Sequence, residues 1–188
     1  MTLYSIILFL HVAAVLVLFA SLSFEFLSLS HLRQASDPGD LRRWVDLVPG
    51  VPLMAMASIL VVLVSGIYLA VRMAAFNLAW PKVTIIALLL VAPFGALTGK
   101  RMRVIRRSSA EATTMQPELL KRLQDPFLKI SLGVRTVVFL GIVLLMAAKP
   151  EFRQSVAIVV GSVVLGFLLS LVAWRRSEPL SVRGEFEG

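Results

Sequence analysis

Apolar and polar positions along this chain fall into long blocks. Five apolar stretches, each close to the ~20 residues needed to cross a bilayer, are separated by short polar breaks. We therefore predict an all-α fold, a polytopic transmembrane helix bundle forming a single domain over 1–174. The predicted spans are 3–29, 51–71, 80–98, 126–148 and 155–174. A polar tail, 175–188, follows the last span.

Turn-forming residues separate the spans. Pro49, Gly50 and Pro52 interrupt the chain before the second span. Before the fourth span, Asp125 is followed by Pro126, a sequence typical of a helix N-cap and first turn. Lys149 and Pro150 then predict a tight break between the fourth and fifth spans.

The positive charges of the chain lie in the breaks and predict its orientation. Placing the N-terminus outside puts fourteen Lys and Arg residues in the inner segments 31–50, 100–130 and 175–188, and four in the outer breaks. Cytoplasmic loops carry an excess of basic residues, so we expect the N-terminus outside and the C-terminus inside. The same rule explains the net charge of +8 without a nucleic-acid partner.

Composition narrows the class further. Apolar residues make up 58 % of the chain, mean hydropathy is +0.87 and cysteine is absent. These values predict a multi-pass protein of the inner (plasma) membrane whose main partner is the lipid bilayer. Cysteine nucleophiles and thiolate metal ligands are excluded.

A few ionisable residues lie inside the predicted spans, where they are expensive and point to function. His11 and Glu25 are fourteen residues apart, close to four helical turns, so they share one helix face. Glu25 and Arg135 lie at similar depth from the inner end, which predicts an intramembrane ion pair. Such a pair fixes helix register, lines a proton or anion path, or leaves Arg135 to bind a haem propionate.

Cations near the outer face form a second candidate site. Lys82 opens the third span, and Arg72 ends the second. Lys82 either reaches the lipid headgroups or lies beside His11, where Lys82 and Arg72 would bind an anionic group. His31 points away from the His11 face, and we expect it at the inner boundary.

Two weaker patterns concern packing. Met54, Met56 and Met73 offer thioethers that bind Cu(I), but core packing is the simpler prediction. Gly95 and Gly99 form a GxxxG pattern, which permits close helix contact within the bundle or between copies.

The first and third spans carry a family resemblance. His11 in a first span ending in His31-Leu32-Arg33, together with Trp80 and Lys82 at the start of the third, resembles the copper resistance D and HemJ-like membrane proteins. The resemblance implies a helical bundle that binds haem b and oxidises protoporphyrinogen, with His11 and Lys82 in the functional positions. The passage 141–150 is also similar to an uncharacterised bacterial family of integral membrane proteins.

Three functions remain open at this point. The first is a haem-binding or redox-associated membrane protein, with His11 as axial metal ligand and Lys82 or Arg72 near the propionates. The second is a small transporter or permease-like protein, with Glu25 and Arg135 lining a path. The third is an accessory subunit, or a homo-oligomer, within a larger membrane complex. Whether any reaction is catalysed stays open.

Overall fold

The computed structural model describes residues 2–34, 50–111 and 125–175, and within these ranges every regular element is helical. The five α-helices are α1 (Leu3–Gln34), α2 (Val51–Arg72), α3 (Ala79–Glu111), α4 (Pro126–Ala148) and α5 (Phe152–Arg175). All five are long and apolar enough to cross a membrane, which confirms the predicted all-α multi-pass bundle. The orientation of the termini stays a prediction, and the tail after Arg175 lies outside the described residues.

Short breaks join the helices at the end of the bundle where α1 begins. α2 ends when the Met73 backbone N–H donates to the Leu69 carbonyl, at 3.0 Å, and Ala74 adopts a left-handed conformation with φ 51°. A single 3₁₀ turn, Ala75–Asn77, then leads into α3. Lys149, also left-handed with φ 49°, ends α4 in the same way before Pro150.

The start of α4 has the cap that its sequence predicts. The Asp125 carboxylate accepts a hydrogen bond from the Phe127 backbone N–H at 2.9 Å, and Pro126 occupies the first helical position. Arg101 of α3 forms an ion pair with Asp125 and lies 4.1 Å from the centre of the Phe127 ring. These contacts join α3 to the first turn of α4.

α3 is longer than the span predicted for it. It continues past Thr98 to Glu111, and its membrane-compatible part ends at Ile105. The residues after Thr98 are mostly basic or apolar and include no proline, so nothing interrupts the helix. Its final turns carry exposed cations: Lys100, Arg101, Arg103 and Arg107. We call this end of the bundle, where α1 and α3 finish and α2 and α4 begin, the basic end.

The helices pack as two groups. α1 packs mainly against α2, and α4 packs mainly against α5 and α3. α1 meets α4, and α2 meets α3, less extensively, whereas within the described ranges no Cα atom of α1 lies within 8 Å of a Cα atom of α3. The shared core includes Leu22, Leu88, Val138 and Ile142, and α4 is the most buried of the five helices.

Small residues bring α4 and α5 together. A Cβ atom added at Gly166 of α5 would lie 2.8 Å from the Val134 Cα of α4, closer than real contacts allow. Gly133 and Gly141 of α4 similarly accommodate the hydroxyls of Ser170 and Ser162. Backbone approach of this kind is how helices associate in lipid, where no hydrophobic force drives them together.

Candidate functional site

Glu25 of α1 and Arg135 of α4 form an ion pair inside the bundle. The Arg135 Nη2 donates to Glu25 Oε2 at 2.6 Å, and Nη1 donates to Oε1 at 3.3 Å. The two side chains are only 6 % and 15 % exposed. The two hydrogen bonds fix the orientation of both side chains. Because the surroundings have a low dielectric constant, either charge would be strongly unfavourable without the other.

Arg135 also faces α3 at a glycine. A Cβ added at Gly95 would lie 3.7 Å from the Cζ, Nε and Nη1 atoms of Arg135, so the guanidinium lies beside the α3 backbone. A guanidinium has five N–H donors, and the two hydrogen bonds to Glu25 use two of them. Arg135 therefore keeps donors that a further acceptor can use.

A cavity of about 520 Å³ lies beside this ion pair, a size typical of small-molecule sites. It is bounded by the basic-end halves of α1, α2 and α3 and by the middle of α4. Its wall is mostly apolar: Val51, Pro52, Leu53, Ala55, Met56, Ile59, Val91, Ala92, Gly95, Ala96, Gly99, Met102 and Phe139. The remaining lining residues are polar: Glu25, Ser28, Lys100, Arg103 and Arg135. The predicted GxxxG glycines thus face the cavity.

The polar part of the wall is positively charged. Three of its residues are cationic, Lys100, Arg103 and Arg135, and Glu25 alone is anionic. Lys100 and Arg103 have exposed side chains at the basic end, whereas Arg135 is buried. The ionisable groups of the wall therefore carry a net positive charge beside a mostly apolar surface.

Ser28 adds a buried hydroxyl to the same wall. It lies one helical turn after Glu25 on α1 and is only 2 % exposed. Its Oγ has no hydrogen-bond partner among the described residues. Because a buried hydroxyl without a partner is unfavourable by about 1–3 kcal/mol, Ser28 is suited to hydrogen-bond a group that enters the cavity.

His11 lies in the other half of the bundle, about 21 Å from Glu25 along α1. Its Nδ1 is 2.9 Å from the Ser65 hydroxyl of α2, and a Cβ added at Gly66 would lie 3.2 Å from its Cε1. The Ser65 hydroxyl also lies within hydrogen-bonding reach of the Val61 carbonyl of its own helix. Ser65 therefore orients the His11 ring, and the tautomer of the ring decides which of the two groups donates.

The predicted outer cluster is not assembled around His11 in the contacts described. Lys82 and Arg72 are exposed at the end of the bundle opposite the basic end. Lys82 belongs to α3, which does not pack directly against α1 in the described ranges, and the His11 contacts given above are to α2. His31 is exposed near the end of α1.

The methionines differ from expectation. Core packing was predicted for Met54, Met56 and Met73, and this prediction is wrong, since they are 54 %, 58 % and 48 % exposed. In a bilayer an apolar side chain can face lipid as favourably as the core. Among the described residues, no group of three or more His, Cys, Asp or Glu side chains could hold a metal ion.

Several residues of the site were not predicted from the sequence. Ser28 and Ser65 look like ordinary helix serines, and their position depends on how neighbouring helices pack. Lys100 and Arg103 were predicted only as orienting loop charges, whereas they lie on α3 at the cavity. Their spacing of three residues, on one face of a continuing helix, was the available signal.

Comparison with known proteins assigns neither a family nor a function to this chain. The resemblance to copper resistance D and HemJ-like proteins and the assembly into a larger complex accordingly stay predictions. Neither protein-family models, nor curated proteins, nor solved structures gave a match to this chain.

Proposed function

We propose that this membrane protein binds an organic anion with an apolar body in the basic-end cavity, as the binding step of a small transporter or permease. The proposal rests mainly on Arg135, because its buried guanidinium keeps unused N–H donors beside a largely apolar cavity. The partnerless hydroxyl of Ser28 in the same wall supports it.

Glu25 has a defined role in this proposal. It compensates the charge of Arg135 and holds the guanidinium in one orientation with two hydrogen bonds. An isolated buried guanidinium would be strongly unfavourable. The ligand anion then binds the remaining donors of Arg135 and the Ser28 hydroxyl, while Lys100 and Arg103 contribute positive potential at the mouth.

The proposal is tested by comparing two probes of equal chain length. The purified protein in nanodiscs of zwitterionic lipid is titrated with laurate and, separately, with dodecanol. A charge-assisted hydrogen bond contributes about 1.5–3 kcal/mol, so laurate should bind roughly 10-fold or more tightly. Equal affinity for the acid and the alcohol would mean that the polar wall does not select anions.

A variant separates selective binding from partition into the lipid. In Glu25→Met/Arg135→Met the ion pair is replaced by apolar side chains of similar length, and the bundle should still fold. Laurate should then bind no better than dodecanol. If the variant keeps the wild-type preference for laurate, Arg135 is not the anion site.

Haem binding through His11 is the second candidate. Its support is the contact between His11 Nδ1 and the Ser65 hydroxyl, which orients the ring and leaves Nε2 as the nitrogen that would bind the iron. Arg135 and the cavity lie toward the other end of α1, so a propionate on Arg135 and iron on His11 are not brought together by the geometry described. Haem b would supply redox chemistry, and His11 would hold it.

An absorption spectrum tests this candidate without reference to the cavity. Protein purified from haem-supplemented cells is measured oxidised and then reduced with dithionite. A Soret band that shifts on reduction and is lost in His11→Ala would support haem binding. A colourless wild-type protein would remove His11 as a haem ligand and leave the anion proposal unaffected.

A further inference from the structure

We infer that the ligand of the basic-end cavity is an anionic lipid, which enters sideways from the bilayer between α2 and α3 rather than from water. This rests on the proposed anion binding and names the class of ligand. Four features of the cavity support it: the exposed apolar residues at its α2 edge, the small residues of its α3 wall, its depth and the level of its charges.

The α2 edge of the cavity is formed by residues with large exposed side chains. Leu53 and Met56 of α2 line it and are nevertheless 72 % and 58 % exposed. Both lie within a helix that crosses the membrane, so their exposed surface faces acyl chains. Because the edge of the wall faces lipid, an acyl chain can enter the cavity directly from the bilayer without passing through water.

Small residues on α3 make room for a chain. Ala92, Gly95, Ala96 and Gly99 follow one another at spacings of three, one and three residues and line the cavity along one helix face. On the α2 side, the Pro52 Cβ lies 3.8 Å from a Cβ added at Gly99. The two helices therefore approach each other near the basic end, and beyond this point the cavity between them is lined by apolar residues.

The depth of the cavity matches one leaflet. Its lining on α3 runs from Val91 to Arg103, about 18 Å along the axis. Half of a ~30 Å hydrocarbon core is about 15 Å. Val91 lies near the middle of the membrane-compatible part of α3, Ala79–Ile105, and Arg103 near its end. A lipid chain of the basic-end leaflet would fill this length.

The exposed charges lie at the level of the headgroups. Lys100 and Arg103 stand at the basic-end mouth of the cavity with exposed side chains, where an anionic headgroup attracts cations. Free phosphate is an anion like such a headgroup, but it has no chain to cover the apolar wall. A lipid fits both parts of the cavity: its phosphate lies beside Lys100 and Arg103, its ester carbonyl oxygens, deeper in the leaflet, accept from the free donors of Arg135 and from Ser28, and its acyl chain covers the apolar wall.

The test places a fluorescent reporter in the cavity wall. Phe139 is 4 % exposed and lines the cavity from α4, so Phe139→Trp is shielded from bulk lipid. The three native tryptophans, Trp44, Trp80 and Trp174, are replaced by phenylalanine. Nanodiscs of phosphatidylcholine then receive increasing phosphatidylglycerol with brominated chains, a fluorescence quencher, and brominated phosphatidylcholine serves as the zwitterionic reference.

We expect saturable quenching by the brominated anionic lipid, with half-saturation at a mole fraction at least 10-fold lower than for the zwitterionic lipid. Inorganic phosphate should not reverse it. In Lys100→Gln/Arg103→Gln, half-saturation should move to a higher mole fraction by about 30-fold, since each of the two cations near a membrane surface contributes about 1 kcal/mol. Lys82→Gln, an exposed cation at the opposite end, should leave it unchanged.

The outcomes separate this inference from the proposed function. Equal quenching by the two brominated lipids, or none, together with laurate binding that still depends on Arg135, would overturn lipid entry and leave a water-borne anion as ligand. Reversal of the quenching by inorganic phosphate would overturn it as well. Absence of both lipid quenching and laurate binding would overturn the inference and the proposed function together.

Discussion

The Glu25–Arg135 pair allows a quantitative test of how the bundle is held together. The perturbations are Glu25→Met, Arg135→Met and the double replacement. Each single variant leaves one charge buried, because the partners are only 15 % and 6 % exposed and hydrogen-bond each other at 2.6 and 3.3 Å. Removing one partner of such a pair lowers the free energy of unfolding by about 3–5 kcal/mol. We expect the lower value for Arg135→Met, because Glu25 is the more exposed partner.

The double replacement should behave differently from the sum of the two. It removes both desolvated charges and leaves apolar side chains in a largely apolar wall, so its effect should stay within about 1–2 kcal/mol of wild type. The coupling free energy between the two positions should then exceed about 3 kcal/mol.

The assay is reversible unfolding in mixed micelles with an increasing fraction of denaturing detergent, followed by circular dichroism. Arg101→Gln is the matched control, since Arg101 pairs with Asp125 at a site where the two side chains are 47 % and 29 % exposed. That change should alter the unfolding free energy by no more than about 1 kcal/mol. If the double variant is as unstable as the worse single variant, the buried pair is not the source of the effect.

Three further changes test local packing and capping. Gly166→Ala places a Cβ 2.8 Å from the α4 backbone and should lower the free energy of unfolding by about 1–3 kcal/mol. Gly161→Ala, where an added Cβ has no atom within 4 Å, should not lower it. Equal effects of the two changes in thermal denaturation would contradict the close α4–α5 contact. Ser65→Ala removes the hydrogen-bond partner of buried His11 and should lower the unfolding free energy by about 1–3 kcal/mol, and no change would mean that His11 finds another partner. Asp125→Ala removes the N-cap of α4 and should lower the free energy of unfolding by about 1 kcal/mol, whereas Asp125→Asn can still cap the helix and should keep most of the stability. Similar losses in both variants would mean that the ion pair with Arg101, and not the cap, is the source of the effect.

The ion pair was predictable because its determinants are local. The depth of Glu25 in the first apolar block and of Arg135 in the fourth can be counted along the chain at 1.5 Å per residue. Two opposite charges at equal depth in hydrocarbon have a strong reason to meet. The Asp125 cap and the breaks between the helices were predictable for another local reason, because Asp, Pro and Gly mark helix ends in the sequence itself.

The cavity was not predictable in this way, because it depends on the distance between α2 and α3. The GxxxG pattern at Gly95 and Gly99 predicted close helix contact, and Gly99 does lie near Pro52 of α2, but the pattern gave no sign that both glycines also line a cavity. The exposed methionines show a related limit. Apolarity distinguishes core from surface in water, but in a bilayer the core and the lipid-facing surface are both apolar.

The most direct measurement is the position of a bound anion in the protein. Crystals grown in lipid are soaked with 12-bromododecanoate, and the bromine is located by anomalous scattering. We predict a bromine peak in the cavity between α2 and α3, with the carboxylate within hydrogen-bonding distance of Arg135 or Ser28. Bromine found only on the outer, lipid-facing surfaces of the bundle would contradict anion binding at the Glu25–Arg135 pair.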